Sequence, residues 1–199
     1  GELMAKAVES GCRRIYVGLG GSATNDGGMG MLRALGYRFY DAEGVELDGI
    51  GADLLRVERI DESSVGTTLR DTEIVVAADV DNPLYGRRGA AYVYAPQKGA
   101  DAVMVEALDC GLRRFAEVVA RHTGCDKSGA SGAGAAGGLG FAFIALLRAR
   151  IERGVERVLD IQRFDSRIAG SDLVVTGEGR IDAQTVMGKA PWGVLQRAK

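Results

Sequence analysis

The feature that most constrains this chain is a glycine-rich run, GLGGSATNDGG, which spans Gly18–Gly28 and directly follows the apolar stretch Ile15–Val17. Glycine has no side chain, so another group can approach its backbone closely, and it adopts φ angles that other residues avoid. A strand that ends in such a loop predicts either a tight turn or a site whose backbone N–H groups contact an anion. For one loop taken alone, the tight turn is the simpler interpretation.

Composition narrows the class of protein. The chain has 199 residues, of which 46% are hydrophobic and 26% charged, as expected for a globular protein with a buried core. The formal net charge is −2 and the basic residues are dispersed, which argues against a nucleic-acid partner. No apolar run is long enough to cross a bilayer, so we expect no membrane partner.

Cysteine and histidine usage adds two expectations. The three cysteines lack the CxxC spacing and cannot all pair, which predicts a reducing cytoplasm and buried thiols: Cys12, Cys110 and Cys125. The single histidine, His122, lies near the end of a predicted helix, where it is expected to be a helix C-terminal residue. Any proton transfer should therefore use Asp, Glu or Lys.

Periodicity and turn signals predict an α/β fold. Helices are expected over 2–10, 30–35, 105–119 and 141–147, strands over 14–17, 73–78 and 173–176, and a hairpin that pairs 37–40 with 45–47. This order predicts a partly parallel sheet with flanking helices. Glycine-rich or acidic loops follow the carboxyl ends of three predicted strands, and open α/β sheets bind ligands at that edge. The loops are therefore expected to form one site.

The first loop also permits a dinucleotide interpretation. Gly18–Ala23 matches G-x-G-x-x-A after a strand, and Asp41 follows in the position of the ribose-binding carboxylate, as in a Rossmann-type NAD(P)-dependent oxidoreductase. Against this, the glycines that follow would break the helix that should begin at once, and Asp41 heads a hairpin turn. A second match, Gly132–Gly137, follows no strand. A Walker A motif is excluded, because Lys189 is followed by alanine.

Charged residues near these loops are candidates for chemistry. Asp79 and Asp81 follow the apolar strand directly and could bind Mg²⁺ or accept a hydroxyl proton. Asp182 could serve similarly or could be a helix N-cap. Lys98 and Lys189 adjoin proline or glycine, where a lysine could bind phosphate or be a solvated surface charge.

Four long segments together resemble the bacterial glycerate kinase family: GLGGSATNDGGMGMLRALG, ADVDNPLYGRRGAAYVYAPQKGA, GAGAAGGLGFA and VVTGEGRIDAQTVMGKAPWGV. They occur in the family's order and span almost the whole chain. The resemblance implies two α/β domains and phosphorylation of D-glycerate by ATP with Mg²⁺, with 2-phosphoglycerate favoured over 3-phosphoglycerate. Family members are about twice this length, a multi-domain size. Residues 1–199 are thus expected to be a middle portion with parts of both domains and little activity alone.

The resemblance leaves individual roles open, so the site residues are assigned from their chemistry. The expected catalytic residues are Asp79, Asp81, Lys98 and Asp182, with Asp79 and Asp81 as candidate Mg²⁺ ligands. The expected substrate and phosphate contacts are Gly20, Gly21, Ser22, Thr24, Asp26, Gly134, Gly137, Glu178, Arg180 and Lys189. The alternatives are the oxidoreductase and a non-catalytic fragment that folds and binds weakly.

Overall fold

The computed structural model describes residues 1–179 and 190–199 and has an α/β architecture. Its strands are β1 (Arg14–Gly18), β2 (Arg38–Tyr40), β3 (Arg59–Asp61), β4 (Glu73–Ala77) and β5 (Arg150–Glu152). A parallel sheet has the order β1-β4-β5, and β2 pairs with β3 in a separate antiparallel sheet. The predicted α/β class with a parallel sheet is confirmed.

Helices flank both sheets. They are α1 (Glu2–Glu9), α2 (Met29–Ala34), α3 (Thr67–Arg70), α4 (Ala90–Tyr94), α5 (Ala102–Thr123), α6 (Ala135–Ala145), α7 (Gly154–Ile161), α8 (Phe164–Ile168) and α9 (Ala190–Arg197). Short 3₁₀ turns cover Gly51–Asp53 and Pro96–Lys98. None of the helices in the described part of the chain is both long and apolar enough to cross a membrane.

The local sequence explains why the longest helix begins and ends where it does. The Asp101 carboxylate accepts a hydrogen bond from Met104 N at 2.8 Å and caps the N-terminus of α5. Gly124 ends the helix with a left-handed φ of 75°. His122 therefore lies in the last turn, as predicted, and its Nε2 is 3.7 Å from Glu62 Oε2.

The core is organised around α5. The ring of Phe115 packs edge-to-face against Phe39 of β2 at 5.8 Å and against Phe141 of α6 at 5.9 Å, centroid to centroid. All three rings are essentially buried. Edge-to-face pairs add to the stabilisation that comes from burying the aromatic surface. Through Phe115, the small sheet and α6 pack against the same helix.

The second glycine segment, Gly129–Gly140, packs directly against the first glycine loop. Gly27 N donates a hydrogen bond to Gly137 O at 3.1 Å. A Cβ atom added to Gly137 would lie 2.0 Å from Thr24 O, and Gly137 has a φ of +69°. Both the contact and the backbone angle require glycine at this position.

Two sequence predictions about strands differ from the structure. Residues 173–176 form no strand among the described residues, and the side chains of Leu173 and Val175 are 78% and 85% exposed. The third strand of the parallel sheet is instead β5, which the sequence analysis missed. It has only three residues, and Arg150 and Glu152 flank a single apolar side chain, too short a pattern to indicate a strand.

The predicted hairpin forms: Asp41 N donates to Val45 O at 3.0 Å, Leu47 N donates to Phe39 O at 2.8 Å, and Tyr40 and Glu46 form an isolated antiparallel bridge. In addition, β2 pairs with β3. One further expectation, about the cysteines, needs correction. The cysteines are not buried, because Cys12, Cys110 and Cys125 are all exposed free thiols.

The packing between the glycine segments can be tested by adding one methyl group. We expect Gly137→Ala to lower the free energy of unfolding by about 1–3 kcal/mol more than Gly21→Ala, because it overpacks the contact with Thr24 O. Gly21 is a matched control: its φ is +58°, but no atom lies within 4 Å of the added Cβ. Urea denaturation of both variants measures the difference, and equal losses would contradict the proposed contact.

Candidate active site

The site is built where two parallel strands end side by side. In the register of the sheet, Gly18 of β1 stands opposite Ala77 of β4. One residue further on, Leu19 N donates to Ala77 O at 2.9 Å, which continues the pairing into the loops. The first glycine loop and the segment that begins at Asp79 therefore emerge at the same edge of the sheet, as the sequence predicted.

Lys98 lies over the first glycine loop. Its Nζ donates hydrogen bonds to Ser22 Oγ at 3.0 Å and to Thr24 O at 2.6 Å. The 3₁₀ turn that follows α4 presents the lysine, and Gly99 ends that turn with a φ of 96°. An ammonium group has a further N–H beyond these two contacts, which can bind an anion.

Burial changes the electrostatics of this lysine. Desolvation lowers the pKa of Lys98 below its ordinary value, and the negative charge of Asp26 opposes the shift. Desolvation destabilises the ammonium form because a charged group loses its hydration on burial. An anion bound beside Lys98 would compensate for that loss, so the site is suited to a negatively charged ligand.

The glycines of the first loop fall into two groups. Cβ atoms added to Gly18, Gly20 or Gly21 would meet no atom within 4 Å. Added to Gly27 or Gly28, they would overlap the side chain of Phe115 or Ala142. The first half of the loop therefore leaves room for a ligand, whereas the second half is glycine-rich because other parts of the chain pack against it.

Asp26 contacts the N-terminus of helix α2. Its carboxylate accepts hydrogen bonds from Gly28 N at 2.9 Å and from Gly30 N at 3.2 Å. These are backbone donors that the first turn of a helix cannot satisfy internally. These two hydrogen bonds fix the orientation of the loop at the start of α2. The predicted contact between Asp26 and the substrate stays a prediction.

A second cleft, which we call the strand-end cleft, lies beyond the carboxyl ends of β4 and β5. It has a volume of about 220 Å³ and is lined by Ala78, Asp79, Val80, Asp81, Ser131, Ile151, Glu152 and Arg153. Asp79 Oδ1 accepts a hydrogen bond from Gly154 N at 3.0 Å, at the N-terminus of α7. The Asp81 side chain is 73% exposed, and its Oδ2 lies 3.8 Å from a guanidinium nitrogen of Arg88.

A polar link that was not predicted from the sequence connects α4 to the segment that follows Asp81. Tyr94 donates a hydrogen bond to Asn82 Oδ1 at 2.6 Å, and Asn82 Nδ2 donates to Arg88 O at 2.7 Å. Burial, and to a smaller extent Asp81, raises the pKa of Tyr94, so its hydroxyl remains a donor. Because α4 carries Tyr94 and leads into Lys98, this link holds Lys98 and the acidic loop in a fixed relation. The only sequence signal was the Asn-Pro turn itself.

A larger cleft, which we call the Lys98 cleft, has this lysine in its wall. Its volume is about 510 Å³, and it is lined by Ala23, Asn25, Gly51, Ala52, Leu55, Ala95, Lys98, Gly99, Ala100, Met104, Ala107 and Leu108. Most of these side chains are apolar. The buried Oδ1 of Asn25 has no hydrogen-bond partner among the described residues.

The remaining predicted site residues lie elsewhere. Gly134 and Gly137 are buried, and a Cβ on Gly134 would lie 2.3 Å from Pro83 O, so both contact neighbouring chain segments. Glu178 belongs to an irregular segment and lines neither cleft. Three predicted residues fall outside the described residues: Arg180, Asp182 and Lys189.

The dinucleotide alternative does not fit the topology. Asp41 follows β2, which belongs to the antiparallel pair and is not hydrogen-bonded to β1. Its carboxylate is nearly buried, accepts a hydrogen bond from Val45 N at 2.8 Å and pairs with Arg56 at 2.7 Å. A ribose-binding carboxylate would have to lie at the end of a strand beside β1 in the parallel sheet.

Comparisons with known proteins agree on one family. The model of the glycerate kinase family matches residues 1–199. A Bacillus cereus protein named glycerate kinase is 50% identical over 199 residues, and an Escherichia coli protein named glycerate 2-kinase is 46% identical. Both alignments cover 100% of this chain and 52% of the relative. The chain therefore spans about half the length of the curated relatives it matches.

A solved structure shows the same fold. The crystal structure of a protein assigned as glycerate kinase 2 of Salmonella typhimurium LT2 superposes with a TM-score of 0.89 at 46% sequence identity. The match covers 99% of this chain and 53% of that protein.

The lowered pKa of Lys98 predicts how stability depends on pH. In alkali, the unfolded chain holds the Lys98 proton more strongly than the folded chain does. Lys98 therefore makes the free energy of unfolding rise with pH between its lowered folded pKa and the ordinary lysine value of 10.5. Urea denaturation at a series of pH values should show that Lys98→Met loses this contribution relative to the unsubstituted chain.

Lys127→Met serves as the control, because Lys127 is exposed. It should keep the pH dependence of the unsubstituted chain. If the two variants show the same dependence, Lys98 is not desolvated in solution.

Proposed function

Because the chain belongs to the glycerate kinase family, we propose that it forms part of an enzyme that phosphorylates D-glycerate with ATP and Mg²⁺. The observation that carries this proposal is the Lys98 ammonium group, held by Ser22 and Thr24 over a loop with open glycines. Phosphoryl transfer depends mostly on positioning the phosphate and neutralising its charge. A fixed cation beside exposed backbone N–H groups does both.

Lys98 and the first half of the glycine loop form the proposed phosphate site. The backbone N–H groups of Gly20 and Gly21 and the hydroxyl groups of Ser22 and Thr24 would contact phosphate or carboxylate oxygens. The absence of any atom within 4 Å of a Cβ at either glycine supports this arrangement. Lys98 would neutralise charge that develops on the transferred group.

The strand-end cleft is the proposed place for Mg²⁺ and for proton removal. No cluster of three or more metal-binding side chains occurs among the described residues, so Asp79 and Asp81 alone would not enclose a metal ion. They fit Mg²⁺ that is shared with substrate phosphates, which is how kinases commonly hold it. Mg²⁺ bound there would neutralise charge on the phosphate oxygens.

The two carboxylates differ in how firmly they are held. The hydrogen bond from Gly154 fixes Asp79, which suits a metal ligand. Asp81 is 73% exposed and lies 3.8 Å from Arg88, so its carboxylate can accept the proton of the attacking glycerate hydroxyl group.

Two finer features also belong to the proposal. We expect the product to be 2-phosphoglycerate rather than 3-phosphoglycerate, which the name of the Escherichia coli relative, glycerate 2-kinase, supports. We also place the protein in the cytoplasm, where ATP is available. Glu178, Arg180, Asp182 and Lys189 remain candidates for further contacts, since they belong to a segment that was predicted to reach the site.

An ADP-release assay with D-glycerate and Mg-ATP tests the proposed reaction. It should be run on the 199-residue chain and on a version extended to the length of the relatives. We expect turnover from the extended version and little from residues 1–199, because the chain spans 52% of its relatives. Equal turnover would show that residues 1–199 suffice. No turnover from either version, with both folded, would favour the non-catalytic alternative.

Three aspartate variants test the placement of the site. In the extended version, Asp79→Asn and Asp81→Asn should each lower kcat at least about a hundredfold, the low end of what acid–base catalysis contributes. Asp41→Asn should change kcat little, because Asp41 pairs with Arg56 away from the parallel sheet. Steady-state kinetics at saturating Mg-ATP measures this, and thermal melts exclude unfolding. Loss of activity in Asp41→Asn alone would place the site elsewhere.

A further inference from the structure

We propose that the Lys98 cleft binds the purine base and ribose of the nucleotide, while Lys98 contacts its phosphates. This inference rests on the proposed function, since it names the part of the site that recognises the phosphoryl donor. It divides the site into an apolar half for the nucleoside and a polar half, the strand-end cleft, for transfer to glycerate.

Size and lining favour a nucleoside over glycerate. The volume of about 510 Å³ falls within the range of typical small-molecule sites, about 300–1,000 Å³. Its apolar wall includes the side chains of Leu55, Met104, Ala107 and Leu108. Glycerate is small, charged and rich in hydroxyl groups, so it would leave most of this space empty and gain nothing from apolar walls. A flat purine ring would cover them.

Two exposed apolar side chains at the cleft support a ligand there. Leu55 is 52% exposed and Met104 is 54% exposed, although both line a concave surface. Methionine is flexible and polarizable and packs well against aromatic rings. Burial of these side chains by a purine ring would remove apolar surface from water, which favours binding.

Asn25 can supply polar recognition at the same place. It lines the cleft, and its buried Oδ1 has no hydrogen-bond partner among the described residues. A buried acceptor without a partner is unfavourable, so the side chain gains if it turns towards the cleft, where Oδ1 can accept a hydrogen bond from a ligand. The carboxamide of asparagine matches the amino group and neighbouring ring nitrogen of adenine, which present a donor beside an acceptor. Rotation of the side chain towards the cleft would make this pairing available.

The position of Lys98 orients the nucleotide. Lys98 lines the apolar cleft and also donates to Ser22 and Thr24 of the glycine loop. A nucleotide whose base lies among Leu55, Met104 and Ala107 would therefore extend its phosphates past Lys98 towards the open glycines. The phosphoryl group would leave the apolar cleft in the direction of the sheet edge.

A bulky residue in the cleft tests the inference without disturbing the core. Ala107 is exposed and lines the cleft, so Ala107→Phe would fill the space of the purine ring. Isothermal titration calorimetry with adenosine and with Mg-ATP should show at least about a tenfold loss of affinity for both. Cys110→Phe is the matched control, because Cys110 is exposed on the same helix and does not line the cleft. It should bind both probes as the unsubstituted chain does.

Variants at the two polar residues separate the contacts. Lys98→Met should weaken Mg-ATP binding at least about tenfold and leave adenosine binding within about twofold, because adenosine has no phosphate. Asn25→Leu should reduce the preference for ATP over GTP, a ratio that a merely structural role would not change.

The results distinguish this inference from the proposed function. If the extended version has kinase activity but Ala107→Phe leaves the KM for ATP unchanged, the nucleoside does not bind in this cleft, although the enzyme is a kinase. If adenosine binds and Ala107→Phe abolishes that binding while no turnover is found, the cleft assignment stands and the proposed function fails. If adenosine at millimolar concentration binds neither form of the protein, the inference is wrong.

Discussion

The contact between the two glycine segments is the constraint on which the rest of the site depends. Gly137 lies so close to Thr24 O that a single methyl group would overlap it, and Gly27 N bonds to Gly137 O across the same contact. Because buried backbone must satisfy its hydrogen bonds, this close contact fixes the second half of the first loop. Only when the second half is fixed can the first half hold its open glycines at a constant position.

Lys98 connects the first glycine loop to the rest of the site through its hydrogen bonds. Its hydrogen bonds to Ser22 and Thr24 hold a charged group where burial disfavours charge, and its lowered pKa reflects that. The Tyr94–Asn82 hydrogen bond connects α4, the helix that precedes the Lys98 turn, to the acidic segment after β4. One edge of the sheet therefore carries the Lys98 ammonium group, the backbone of the open glycines and the carboxylates after β4. Transfer of a phosphoryl group to a hydroxyl group requires groups of these kinds.

The groups at this site come from different segments of the chain, and the order of these segments in the sequence does not show which of them lie close together in space. The parallel pairing of β1 and β4 brings together loops that about sixty residues separate, far more than the dozen or so residues that a crossover connection requires. The apolar Lys98 cleft likewise combines the first loop, the Gly51–Asp53 turn and α5. A ligand that bound there would contact all three segments at once.

The sequence by itself determined the features that neighbouring residues control. The apolar run of β4, the helical periodicity over 105–119 within α5 and the density of glycine after β1 follow from local patterns. These were enough to predict the α/β class and the edge of the sheet where the loops meet. Local patterns also predicted a strand over 173–176 that does not form, since a strand needs a partner to pair with.

Only the tertiary structure decided which polar groups are available to a ligand. It selected the short β5 as the third strand and separated the open Gly20 and Gly21 from the packed Gly134 and Gly137. The physical reason is that a missing side chain can leave room for a ligand or for another segment of the chain, and the local sequence is the same in both cases. Which role each residue has depends on what lies within a few ångströms, and in this protein those neighbours come from distant parts of the chain.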